Sequence, residues 1–246
     1  MPLLEVTNLS RSYGSRRVLS GVDLAVDHGE VVALIGRNGA GKTTLLRILT
    51  TLLRPEEGKV LLSGHDLGEE PEALRRKMGV VLHSSMLYPN LSCRENLRFF
   101  ARLYNLKEAE DRISGLLSAL DLLSRADERV RTLSRGMLQR LALARALVHD
   151  PDLLLLDEVF TGLDLKFADR AGSLLKQKAQ EGKAILFSTH DLERVLEIAT
   201  RVDILHGGRI VFSAAVATLS AETLLGHYRT FTADRERSQD LSGVGR

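Results

Sequence analysis

The sequence predicts an α/β fold, a mostly parallel sheet interrupted by a helical insertion. Short apolar runs return at 31–35, 153–156, 184–187 and 202–205, as expected of strands covered on both faces. Helical periodicity fills the spaces after most of them, the alternation that builds a parallel sheet. The first run leads directly into Gly36-Arg37-Asn38-Gly39-Ala40-Gly41-Lys42-Thr43. That octet fits G-x-x-x-x-G-K-[ST], a phosphate-cradling loop set between a strand and a helix.

The elements follow in order. Residues 1–35 read as short strands with turns at Gly14 and Gly29. After the glycine-rich loop, Thr44-Leu45-Leu46-Arg47-Ile48-Leu49 starts a helix, and 58–64 suggests a hairpin. From about 71 to 131 the texture becomes helical. Ser92 with Glu95 forms a capping-box pattern. Leu97, Phe99, Phe100, Leu103 and Tyr104 follow at helical spacing, and the aromatic pair is expected as helix core rather than a ligand box. A second amphipathic run carries Ile113, Leu116, Leu117, Leu120 and Leu123. Ser134 is the expected N-cap of a helix through Leu147. Residues 1–231 are expected to form one domain, with a helical subdomain inserted at about 84–140. The polar tail, 232–246, is expected to be poorly ordered.

Three polar clusters carry the chemistry. In the loop from Gly36 to Thr44, glycines let the backbone turn so that N–H groups face phosphate oxygens. The following helix N-terminus adds partial positive charge. Lys42 reaches the β- and γ-phosphates of a nucleotide, and Thr43 can ligate Mg²⁺. The second cluster closes the run Leu153-Leu154-Leu155-Leu156-Asp157-Glu158. Its strand delivers two carboxylates to the sheet edge where α/β folds bind ligands. Asp157 suits Mg²⁺ opposite Thr43, and Glu158 suits proton abstraction from an attacking water. The third, Ser188-Thr189-His190-Asp191, ends another strand, placing His190 to orient that water or contact the γ-phosphate. The helix start at 134–136 is a second anion-seeking N-terminus.

Composition narrows the rest. Net charge is +2 over 246 residues, which gives no case for nucleic-acid binding. Cys93 is the single cysteine, so an intrachain disulfide is impossible. The first residues lack a signal-peptide layout, and no apolar run approaches the roughly 20 residues of a membrane span. The chain is therefore expected to be cytoplasmic, reaching a membrane only through a partner.

Taken in order, these motifs resemble the ATP-binding cassette ATPases, the nucleotide-binding subunits of ABC transporters, over roughly 3–215. Residues 36–43 match the family's Walker A motif and 133–137 its signature motif, followed by Gln139-Arg140. Residues 153–158 match Walker B with the catalytic glutamate, 162–164 the D-loop, and His190 the switch histidine. Tyr13 matches the aromatic residue that stacks on adenine; without the family it would read as a hairpin aromatic on a sheet edge. The resemblance implies a RecA-like P-loop NTPase core with an N-terminal antiparallel β lobe and an inserted helical lobe. It also implies ATP and Mg²⁺ as cofactors, with Lys42, Glu158 and His190 catalytic. A head-to-tail homodimer, or a heterodimer with a second cassette, would set Ser134 and Gly136 of one chain against the ATP of the other. An integral-membrane permease would be driven from the cytoplasmic face.

The chain departs from the family pattern in places. Counting from Gly79, the glutamine that senses Mg²⁺ and couples to the permease falls on His83, or on Ser84 after a one-residue shift. Arg135 replaces a signature glycine, Met137 a glutamine, and Val159 the proline after the glutamate. The stretches 79–100 and 133–147 are most similar to haem-exporter ATPases of cytochrome c biogenesis, with multidrug exporter ATPases as the alternative. A soluble cassette acting on nucleic acid or ribosomes and a P-loop kinase are the other classes. One cassette without sustained heptads argues against the former, Glu158 and the signature segment against the latter.

Overall fold

The computed structural model describes residues 1–232; the tail beyond Thr232 lies outside them. Two strands open the chain, β1 (Leu4–Tyr13) and β2 (Arg16–Val26), joined through Gly14 at φ 59°. After Gly29 come β3 (Val31–Ile35), the glycine-rich loop and α1 (Lys42–Leu49). A hairpin of β4 (Glu57–Leu62) and β5 (His65–Asp66) leads to α2 (Pro71–Arg75) and β6 (Met78–Val81). The helical segment holds α3 (Cys93–Leu103) and α4 (Glu110–Ala119), and α5 (Arg135–Leu147) returns the chain to the sheet. Then follow β7 (Leu153–Asp157), α6 (Leu165–Gln180), β8 (Ala184–Ser188) and α7 (Leu192–Ile198). The chain closes with β9 (Arg201–His206), β10 (Arg209–Ala215) and α8 (Ala221–Thr232).

Two sheets result. One is antiparallel, in the order β2-β1-β4-β5; the other runs β10-β9-β3-β8-β7-β6 and is parallel except for β10. The expected β lobe and mostly parallel core are both present. All five residues of β3, β7 and β8 are buried, because the core sheet is covered on both faces. Alternation splits them between two cores. Val31, Ala33, Ile35, Leu154 and Leu156 face the helical side, with Leu97, Leu117 and Leu141. Val32, Leu34, Leu153 and Leu155 face α1 and the β lobe, with Leu45, Leu46 and Leu4.

Three expectations need correction. The helical texture over 71–131 hides β6, an edge strand in register with β7 from Met78↔Leu153 to Val81↔Leu156. Glycine permits its close packing: a Cβ on Gly79 would fall 2.3 Å from the Ala146 carbonyl oxygen in α5. The second difference is α3. Its capping box forms, with Glu95 N–H donating to Ser92 Oγ at 3.2 Å and Ser92 N–H to Glu95 Oε2 at 2.7 Å. Yet, while Phe100 packs half-buried against the core, Phe99 and Leu103 are exposed, at 39% and 60%. At about 100° per residue they lie roughly 160° and 120° around the helix from buried Leu97, so helical spacing alone does not put them on its face. Third, α4 ends at Ala119, and Leu123 beyond it is exposed.

Candidate functional site

The site gathers where β3, β7 and β8 end at one edge of the core sheet. These strands are parallel neighbours, with Leu34 opposite Ser188 and Asp157 opposite Ser188 in the two registers. Three loops far apart in sequence therefore open on the same crevice, the usual ligand position in such sheets.

The first loop is an anion cradle. Gly41 sits at φ 110° as the residue before α1, a conformation that L side chains rarely adopt. A Cβ there would fall 2.8 Å from Leu19 Cδ2 and 3.0 Å from the Val18 carbonyl oxygen. No side chain caps α1, and its first turn holds no acid, so its N-terminal N–H groups stay available to an anion. Lys42 is buried and folds back over the loop, donating to the Gly36 carbonyl at 2.6 Å and the Arg37 carbonyl at 3.3 Å. Burial lowers its pKa, and the Glu158 and Asp157 carboxylates oppose that shift. An ammonium held in this way is ready for exchange onto phosphate oxygens.

The second loop supplies the acids. Asp157 is buried and takes two donors: Thr43 Oγ1 donates to Oδ2 at 2.9 Å, and Ser188 Oγ to Oδ1 at 2.6 Å. Glu158 turns away sharply at φ 51°, a left-handed conformation that costs roughly 1 kcal/mol in a non-glycine residue. Its N–H is pinned to the Ser188 carbonyl at 3.2 Å and Ser188 Oγ at 3.0 Å. The third loop brings His190 Nδ1 to 3.0 Å from Glu158 Oε2, which also accepts from Thr161 Oγ1 at 3.0 Å. A carboxylate is thus aimed into the crevice with an imidazole beside it, the arrangement a water-activating base requires.

Two adjoining cavities meet here, sharing Asn38 and Glu158. The smaller, about 450 Å³, runs from Tyr13 past Gly39 and Gly41 to Lys42, Thr43 and Thr44. Tyr13 is 47% exposed, with the Arg11 guanidinium 5.6 Å from its ring centroid. The larger, about 940 Å³, runs from Gly36 and Arg37 past Asp157 and His190 to His83 and the first turns of α5. His83 is exposed on its wall. Ala40 closes the loop turn, its N–H donating to the Arg37 carbonyl at 3.1 Å. Ser134 and Gly136 line neither cavity. Ser134 caps α5 by accepting the Met137 N–H at 3.3 Å, and a Cβ on Gly136 would lie 3.3 Å from the Gly162 carbonyl.

The glycine-rich loop, the capped α5 and the paired acids follow one another within residues 19–161, the stretch that matches a family model described as "ABC transporter". The chain belongs to the ABC transporter family, as an ATP-binding subunit. It is 34% identical to the ABC transporter ATP-binding protein NatA of Bacillus subtilis (strain 168), over 98% of this chain and 96% of that one. It is 37% identical to the daunorubicin resistance ATP-binding protein DrrA3 of Streptomyces coeruleorubidus, over 89% and 70%. A dimeric ATP-binding cassette in a post-hydrolysis state, bound to ADP and Pi, superposes with a TM-score of 0.77 at 26% identity, covering 87% and 98%. The haem-exporter type expected from 79–100 and 133–147 finds no support among these relatives.

Within this ABC cassette, two residues escaped the sequence reading. Ser188 braces both Asp157 and Glu158, and Thr161 braces Glu158. The only signal for Ser188 was its place in the polar cluster that ends β8. Thr161 gave none, because its contact depends on the turn at Glu158.

Proposed function

We propose that this ABC cassette hydrolyses ATP to power export through a separate integral-membrane permease. The observation that carries the reading is Glu158, held in a left-handed turn with His190 beside it at 3.0 Å, across the crevice from Lys42. Residues 1–231 act as one ATPase domain. Tyr13 stacks on adenine. Gly36, Arg37, Asn38, Gly39, Ala40, Gly41 and Thr44 surround the phosphates with backbone N–H groups and polar side chains. Lys42 meets the β- and γ-phosphate charge, most strongly as it builds in the transition state. Glu158 takes a proton from the attacking water, and His190 holds that water in line.

The residues present fit a Mg²⁺ ion. Thr43 and Asp157 offer hard oxygen donors already 2.9 Å apart, and Mg²⁺ takes few protein ligands beside phosphates and waters. When bound, the ion offsets β- and γ-phosphate charge. His83 stands on the same cavity. Imidazole is a poor direct ligand for Mg²⁺, so His83 would act by hydrogen-bonding a water of the ion's shell, in the place of the coupling glutamine.

The relative named for daunorubicin resistance supports drug export over haem export as the cargo class. No helix among the described residues is long and apolar enough to cross a membrane. The permease therefore supplies the span and holds the cassette on the cytoplasmic face. Purified protein with MgATP should release phosphate without any acceptor substrate, and tagged protein should carry an integral-membrane protein out of detergent-solubilised membranes. ATP consumption only with an acceptor would point to a kinase. Recovery from the soluble fraction alone would remove the transporter.

Two chains close head to tail on ATP, with 134–136 of one chain against the γ-phosphate held by the other. This gives the second anion-seeking helix start its anion, one that its own chain does not bring to it. Ser134→Arg, on a Glu158→Gln background, should keep ATP binding and lose the ATP-dependent doubling of mass in light scattering. Normal dimerisation of that variant would refute the sandwich.

A further inference from the structure

Arg16, on the rim of the smaller cavity, is a cation with no role in the assignments above. Three arginines lie in the β1–β2 hairpin near this rim. Arg11 donates to the Arg54 carbonyl at 3.2 Å and pairs with Glu56 at 3.8 Å. Arg17 pairs with Glu57 at 3.1 Å and donates to Ser10 Oγ at 3.0 Å. Arg16 makes no ion pair or side-chain hydrogen bond among the described residues.

Strand alternation accounts for the difference. Arg17 points to the face of β2 that meets the rest of the β lobe, and Arg16 to the other face. Arg16 stands directly opposite Tyr13 in the hairpin register, which puts the two side chains on one face. Val18, two residues on, shares that face, and all three line the cavity with Lys42 and Thr43. Arg16 Nη2 lies 3.7 Å from where a Cβ on Gly39 would be. The guanidinium thus hangs between the aromatic end of the cavity and the phosphate loop. Solvated arginines are common near hairpin turns. This one is aimed at an anion cradle and has no carboxylate of its own.

We propose that Arg16 is a further nucleotide-binding residue, contacting the ribose–α-phosphate segment. The assignment rests on the proposed nucleotide path from Tyr13 to Lys42. With the base at Tyr13 and the β- and γ-phosphates at Lys42, the segment between them is what the guanidinium can reach. ATP and ADP share that segment, so the contact holds product as firmly as substrate and gives no preference for the transition state.

Calorimetric titration of MgATP and MgADP into wild type, Arg16→Gln and Arg16→Lys tests this. Arg16→Gln should raise both dissociation constants by the same factor, about fivefold at low ionic strength. The gap should narrow as salt screens the exposed charge, and Arg16→Lys should recover part of it. Unchanged affinities in Arg16→Gln overturn the proposal, as does a loss confined to MgATP, which would put the side chain at the γ-phosphate. Failure of the wild type to bind either nucleotide overturns the underlying nucleotide reading, and this one with it.

Discussion

Glu158→Gln is expected to stop ATP turnover while leaving ATP binding in place. Glutamine keeps the length and the hydrogen-bonding shape of glutamate, so the left-handed turn at 158 and its bonds to Ser188 survive. What is lost is the basic oxygen. Removing a positioned general base costs about 10²- to 10⁴-fold in rate, and loops and phosphate ligands are untouched. The variant should therefore accumulate as an ATP-held dimer. Phosphate release under saturating MgATP, read beside the ATP dissociation constant, decides the matter. Turnover at the wild-type rate would remove Glu158 from the mechanism and leave the proton to another group.

Lys42→Ala should fail one step earlier, at binding. Lys42 Nζ ties the Gly36 and Arg37 carbonyls together from a buried position, and those bonds are the ones phosphate oxygens would take over. A hydrogen bond to a charged partner is worth roughly 1.5–3 kcal/mol, which converts to about 10- to 100-fold in affinity at 1.4 kcal/mol per tenfold. MgADP should suffer as well, because its β-phosphate also lies within reach. Equilibrium titration with both nucleotides measures the loss. Wild-type affinity in the variant would mean that the cradle binds through its backbone N–H groups alone. The two substitutions thus separate binding from chemistry, and their double mutant should behave as Lys42→Ala.

The sequence by itself determined what is chemically local. Residues 36–43 carry their own turn geometry, because the glycines that permit the conformation sit beside the lysine and threonine that use it. Asp157 and Glu158 were legible because four leucines deliver them to a strand end. Both helix caps, at Ser92 and Ser134, were legible because capping spans three residues. The tertiary structure decided which of these pieces meet. Ser188 braces Asp157 from 31 residues away, through the register of β7 with β8. β6 was hidden because four residues, Met78-Gly79-Val80-Val81, show no clear period, and only pairing with β7 makes them a strand. The Phe99-Phe100 pair reads as core, yet Phe99 lies off the covered face of α3. Arg16 and Arg17 are adjacent and chemically identical, and only the hairpin register sends one to the cradle and the other to Glu57. The physical reason is common to all of these. Short-range chemistry is written in contiguous residues, whereas contacts between distant segments depend on packing that brings them to one edge.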